Sequence, residues 1–345
     1  MGGKGEMRGL RVVLVLTVVA AIGLGAAATA SAARVSHPRK PPPAWFTKSF
    51  RQRVDAAGHR GVPVAGPGVL DICPSAVIHQ GGVGTGTCLV YPYGCTANFA
   101  YYNGGSSTAP AVADGHLYLG SAGHCSDKVG QVVYAAISTP GVGASIARIG
   151  TVAKRVEQYG NNGSVLDFES IQIDSGYHVY PARPVGGPQG VYTGCQVGTP
   201  VKYWGDGYAV EMGPGKPEGG ASAHWYDSGY GWFGPLLPGD SGSGVLNAVT
   251  NQAVGNLDAI VKLYVPPVYL PGEGIGTRMT SILSFSGYKL VNQDQTLASS
   301  GSTACGQPSG KLKLGSGGGG RHKPKPRHHR TRHAHRGLTS VTRGA

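Results

Sequence analysis

The chain has 345 residues, enough for one large domain or two ordinary ones with a sizeable core. Its 59 glycines, 17 tyrosines and only 14% charged residues, with many short apolar runs between glycines, favour an all-β protein over a helical one. The formal charge of +13 sits at the ends: 311–345 carries ten Lys/Arg and no acid, 34–60 seven bases and one acid, and 61–310 ten bases and fifteen acids. A specific nucleic-acid-binding domain is therefore not expected, because its bases should lie on a folded surface.

In chain order, Lys4, Arg8 and Arg11 precede an apolar run from Val12 to Ala30, followed by the small-residue patterns Ala28-Thr29-Ala30 and Ala30-Ser31-Ala32. This is the layout of a cleaved export signal over 1–32 rather than of a permanent membrane anchor. Residues 33–68 are basic and proline-rich, and read either as a propeptide or as an extended arm of the mature protein. The secreted setting this implies is oxidising, so the six cysteines (Cys73, Cys88, Cys95, Cys125, Cys195 and Cys305) are expected in disulfides.

From 69 to 176 the pattern is strand-like, as in Thr96–Tyr102, Gly115–Leu119 and Gln131–Ala136, with turn signals at Asn103-Gly104, Asp114-Gly115 and Asn162-Gly163. A Pro/Gly-rich linker over 177–190 interrupts it. Strand-like runs resume over 191–305, at Val191–Thr193, Pro200–Trp204, Gly244–Leu246 and Ala253–Leu257, and the one helix-like stretch is Thr280–Val291. Two β units joined by a linker are the expected organisation. Residues 306–345 turn Gly-rich and then Lys/Arg/His-rich; such a tail cannot bury enough apolar surface to offset its ordering entropy and is expected to be disordered.

Three segments carry chemistry: Ser121-Ala-Gly-His124-Cys125, Val165-Leu-Asp167-Phe168 at the head of an apolar strand, and Pro238-Gly239-Asp240-Ser241-Gly242. A serine hydroxyl needs an imidazole base within reach to act as a nucleophile near neutral pH. The imidazole needs a buried carboxylate to fix its tautomer, and the developing oxyanion needs preorganised N–H donors. His124, Asp167 and Ser241 fit these roles, with Glu169, Asp174 and Asp114 as competitors for the acid. A glycine two residues before the serine, Gly239, suits the oxyanion loop beside the Ser241 amide.

Other layouts fail on order or content. An α/β-hydrolase needs its histidine after the serine, where only the tail histidines from His322 to His335 remain. The subtilisin order needs the acid before the histidine. No metal or organic cofactor is called for, since the tail histidines show no coordination spacing and neither a P-loop nor a dinucleotide fingerprint is present.

Ala122-Gly-His-Cys125, Asp167-Phe-x-x-Ile171 and Gly239-Asp-Ser-Gly242, in this order, resemble the trypsin/chymotrypsin family of serine proteases, and its bacterial secreted, streptogrisin-like branch more closely. The resemblance covers roughly residues 95–291. It implies two six-stranded Greek-key antiparallel β-barrels with the active site in the cleft between them, the His124–Asp167–Ser241 triad, and an oxyanion hole from the Gly239 and Ser241 amides. It further implies a Cys95–Cys125 disulfide beneath the histidine; the other four cysteines allow three pairings, of which Cys73–Cys88 with Cys195–Cys305 is expected.

Asp240 resembles the acid that orders the oxyanion loop through a buried ion pair, with the processed N-terminus, Arg148, Arg183 or Arg278 as candidate partners. Pro235 falls at the base of the primary pocket, where trypsin-like enzymes carry an acid, so cleavage after Lys or Arg is not expected. Leu236 would then be part of an apolar wall. Asp258 falls near the position where relatives carry a serine bonded to the triad acid. The expected partners are a protein or peptide substrate and, through the basic tail, an anionic cell-wall polymer. The rival reading is a catalytically silent protease fold held at the cell surface by that tail as a binding module.

Overall fold

The computed structural model describes residues 31–36, 44–64, 79–90, 94–104, 113, 115–139, 141, 143–160, 164–182, 186–206, 218–234, 236–265, 268–292 and 297–298. Residues 1–30 of the expected signal, the tail, and the expectations resting on Cys73, Asp114, Arg183, Pro235 and Cys305 lie outside these. The described chain is mostly β-strand, with few helices.

One antiparallel sheet runs in the order Leu297–Ala298, Lys289–Val291, Ala100–Tyr102, Leu117–Ser121, Val165–Ile173, Gly143–Tyr159, Val132–Thr139, Cys88–Val90 and Gly94–Thr96, with Val62–Pro63 paired to Gly143–Tyr159. A second antiparallel sheet runs Ser31–Ser36, Ala259–Val265, Val268–Thr277, Gly229–Phe233, Glu218–Trp225, Pro200–Tyr203, Gly244–Asn247 and Ala253–Asn256. His178–Tyr180, inside the expected linker, forms a small parallel pair with Gly82–Gly84. The sheets thus hold ten and eight described strands.

Each sheet has its own apolar core. Leu89, Leu117, Leu119, Val133, Ile137, Ile149 and Ile171 fill the first; Val201, Tyr203, Trp225, Tyr230, Trp232, Val245 and Ile260 fill the second. The cores are built by period-two alternation, since every second side chain of a strand faces the same way. A third cluster joins Phe99, Tyr101 and Phe168 of the first sheet to Leu246 and Ala253 of the second through Met279, Ile282 and Leu283 of a C-terminal helix.

That helix spans Met279–Ser286, shorter than the Thr280–Val291 stretch expected. Gly287 takes a left-handed conformation and its N–H caps the Leu283 carbonyl. The chain then returns to the first sheet, with Leu290 opposite Tyr101.

The segment read as a propeptide or extended arm contains a helix, Lys48–Ala57. The Thr47 hydroxyl accepts from the Phe50 amide and caps its start. Phe50 and Val54, four residues apart on one face, are buried with Cys88, Tyr134, Ala136 and Ile146, and the Tyr134 hydroxyl donates to Asp55. The prolines lie outside this helix, and its apolar face is covered by the first sheet. Among the described residues, no helix is long and apolar enough to cross a membrane.

Candidate active site

Strand Leu117–Ser121 ends in a single 3-10 turn, Gly123–Cys125, that carries His124. Strand Val165–Ile173 lies beside it, with Glu169 opposite Ser121, and brings Asp167 beneath the turn. His124 and Asp167 are fully buried. The His124 Nδ1 is 2.6 Å from Asp167 Oδ2, and the His124 backbone N–H donates to Asp167 Oδ1 at 2.9 Å. One carboxylate thus holds both the ring and the backbone of the histidine. Gly123 is required by this closeness, since a Cβ there would sit 2.9 Å from Asp167 Oδ1.

Three further groups hold Asp167. Its N–H donates to Thr277 Oγ1 at 2.9 Å, and Asn256 Nδ2 donates to its carbonyl at 3.0 Å, both from the second sheet. The Tyr159 hydroxyl donates to Oδ2. On the turn side, Arg155 Nε donates to the carbonyls of Gly123 and Ser126 at 2.8 and 2.9 Å, bracing the backbone on both sides of His124. Burial pushes the Asp167 carboxyl up. The His124 charge outweighs this, together with the hydrogen bonds from His124 and Tyr159, so the carboxyl lies below its ordinary value and stays ionised.

Two of the competing acids are engaged elsewhere. Glu169 accepts from Ser126 Oγ, and Asp174 pairs with Arg148 at 3.2 Å.

Ser241 lies in the loop that enters strand Gly244–Asn247, and it is fully buried. Gly239 and Gly242 on either side have positive φ, 105° and 90°. The loop is pinned to the first sheet through Thr96: its N–H donates to the Ser241 carbonyl at 2.8 Å and its Oγ1 to the Gly239 carbonyl at 2.8 Å. Gly242 abuts Ser121 and Ala122, the residues that lead into His124; a Cβ there would lie 2.9 Å from the Ala122 nitrogen. The Asp240, Gly242 and Ser243 amides donate to the carbonyls of Leu237, Leu257 and Asp240. The structure therefore brings the Ser241 loop, the His124 turn and the Asp167 strand against one another.

The Cys95–Cys125 disulfide joins the residue before Thr96 to the residue after His124. Cys88 and Cys195 are also disulfide-bonded. Among the described residues, Cys95, His124 and Cys125 bring possible metal-ligand atoms within 4.8 Å of one another, but both sulfurs are in the disulfide and neither is a thiolate.

The structure also places Asp240, Asp258 and Leu236. Asp240 is buried and accepts from the Leu237 N–H at 2.8 Å. Of the candidate partners, Arg148 Nε lies 3.2 Å from Asp174, and Arg278 reaches the carbonyls of Asp227 and Thr193. Asp258 accepts from Thr277 Oγ1 at 2.6 Å, and the Tyr159 hydroxyl donates to Asp167. Leu236 packs into the core of the second sheet, against Gly274 and Trp232.

Asp258 is fully buried. Burial and the Asp167 charge together hold its carboxyl well above the ordinary range, and the Thr277 hydrogen bonds offset only part of this, which favours the neutral form. Sequence reading missed Thr96, Arg155, Tyr159, Asn256 and Thr277, each of which acts across strands rather than within a motif.

No protein-family model matches the chain, and no curated protein matches it. Among solved structures it is similar to a chymotrypsin of Cellulomonas bogoriensis, with 18% identity, 60% of this chain and 97% of that chain covered, and a TM-score of 0.39.

Proposed function

We propose that this protein is a secreted serine endopeptidase of the chymotrypsin-like kind, acting through His124, Asp167 and Ser241. The supporting observation is the buried 2.6 Å contact between His124 Nδ1 and Asp167 Oδ2, on a turn against which the Gly239–Gly242 loop is packed. With Nδ1 donating to Asp167, the Nε2 atom is the one able to take the Ser241 proton.

In this reading Ser241 Oγ attacks the carbonyl carbon of the peptide and its proton passes to His124. Asp167 keeps the ring in its tautomer and balances the imidazolium charge. The negative oxygen of the tetrahedral adduct accepts from the Gly239 and Ser241 amides. His124 then protonates the leaving amine, the C–N bond breaks, and an acyl-enzyme on Ser241 remains. Water, deprotonated by His124, attacks the ester and regenerates the hydroxyl. Each step conserves its proton on His124, and the chemistry requires no metal or organic cofactor.

The finer parts of the proposal come from the sequence. They are two six-stranded barrels with the cleft between them, membership of the streptogrisin-like branch, and a primary pocket floored by Pro235 that disfavours Lys and Arg. Export through residues 1–32 and retention on an anionic cell-wall polymer by the basic tail complete it.

The test is labelling by a fluorophosphonate probe together with casein cleavage, in the natural protein and in Ser241→Ala. The natural protein should label and cleave, and Ser241→Ala should do neither. Labelling and cleavage that survive in Ser241→Ala would overturn the assignment. A folded natural protein that neither labels nor cleaves, yet is retained on a polyanion, would replace it with the binding-module reading.

A further inference from the structure

Asp167 sits on a strand whose neighbour, Gly143–Tyr159, places Glu157 directly opposite it. Period-two alternation puts Arg155 and Tyr159 on the same face as Glu157, and a diagonal cross-strand neighbour two residues on is within reach of an aromatic side chain. Tyr159 uses that reach to donate its hydroxyl to Asp167 Oδ2, the oxygen that also faces His124 Nδ1. The same oxygen is thus shared between the imidazole and a phenol.

We propose that Tyr159 is a positioning residue of this site, whose hydroxyl takes up part of the Asp167 negative charge and so sets how strongly the His124–Asp167 pair holds its proton. This rests on the serine-hydrolase reading and names a group which that reading does not require.

The surroundings of Asp167 let one hydroxyl matter. From the histidine turn, His124 faces it; from the adjacent strand, Glu157 and Tyr159 do; from the second sheet, Asp258 lies behind it, with Tyr230 in turn beside Asp258. Glu157 is balanced by Arg155 Nη2 at 2.5 Å. Asp258 binds the same Thr277 hydroxyl that accepts from the Asp167 N–H, and its Oδ1 is buried with no hydrogen-bond partner among the described residues. Burial beside Asp167 disfavours the charged form of Asp258, and the Asp167 carboxylate is the one in contact with the histidine. The Tyr159 phenol itself is held far above its ordinary value, by burial first and then by Asp167 and Asp258, so it remains a donor throughout the working pH range.

The sign follows from charge. A donor on Oδ2 draws electron density from the carboxylate and weakens its hold on an imidazolium. Removing the donor strengthens that hold, and the pair takes up its proton at higher pH.

The test uses the full secreted protein. The Tyr159→Phe variant deletes only the hydroxyl, and replacement by 3-fluorotyrosine at position 159 keeps the shape while making the phenol a stronger donor. Two quantities are read against pH: kcat/KM on a peptide substrate, and the low-field proton resonance of the His124 Nδ1–H. In Tyr159→Phe both midpoints should rise by about 1 to 2 pH units, roughly the worth of one hydrogen bond to a charged group after solvent exchange. With 3-fluorotyrosine both should fall.

Packing loss alone would lower activity in both variants without moving the midpoints in opposite directions. Midpoints that stay in place in either folded variant overturn the inference. If the natural protein shows no turnover, the proteolytic reading fails while the His124 resonance still decides the role of Tyr159.

Discussion

Replacing Gly242 by alanine should loosen the loop that carries Ser241, and its cost can be worked from two separate sources. Gly242 has φ of 90°, a region an L-residue enters at about 1–2 kcal/mol. The added Cβ would also lie 2.9 Å from the Ala122 nitrogen and closer still to Ser121 Oγ and the Thr96 carbonyl. These atoms cannot yield easily: Ser121 Oγ donates to the Thr96 carbonyl at 3.0 Å, and the Thr96 N–H is held by the Ser241 carbonyl at 2.8 Å. Overpacking at such a site adds about 1–3 kcal/mol.

The total is therefore about 2–5 kcal/mol, a large part of the ~5–15 kcal/mol that stabilises an ordinary domain. Gly287→Ala supplies the control. Its φ of 71° carries the backbone strain, but nothing lies within 4 Å of an added Cβ. Urea unfolding followed by tryptophan fluorescence, with Trp225 and Trp232 buried in the second sheet, reads both variants. Gly242→Ala should fall well below Gly287→Ala in midpoint and should label slowly with a fluorophosphonate. Equal midpoints would show that the two sheets are not packed together at Gly242, which would refute the reasoning.

Two other outcomes follow from buried groups. Because the Asp258 carboxyl is raised in the folded state, the native protein binds more protons there than the unfolded chain, so stability falls as pH rises above the ordinary aspartate value. Asp258→Asn should therefore stabilise the protein at pH 7, with the gain vanishing as pH falls below about 4, the ordinary aspartate range; a pH-independent change in urea midpoint would contradict this. Phe50→Ala, in protein retaining residues 44–64, should cost about 3–5 kcal/mol, because the side chain fills a closed pocket with Val54 and Tyr134. A loss under ~1 kcal/mol, the scale of a surface substitution, would mean that the helix is not docked in solution.

The parts of this protein legible in the sequence are those whose physics is local. Glycines on either side of Ser241 announce a strained loop, and Ala122-Gly-His-Cys125 announces a histidine on a tight turn beside a disulfide, because a few consecutive residues determine each backbone path. The β character was legible for the same reason, from short apolar runs between turn residues. The helix Lys48–Ala57 had a local signal too, Thr47 as a cap with Phe50 and Val54 spaced by four, but the prolines and bases around it masked the pattern.

What tertiary structure alone decided lies across strands. Strand register brings Tyr159 diagonally onto Asp167, and the packing of one sheet against the other brings Thr277, Asn256 and Thr96 to the acid and to the serine loop. The Asp258 carboxyl is raised only because the fold removes it from water beside a second acid. Register and burial are properties of the assembled chain: a shift of one residue in pairing would turn every one of these side chains to the other face.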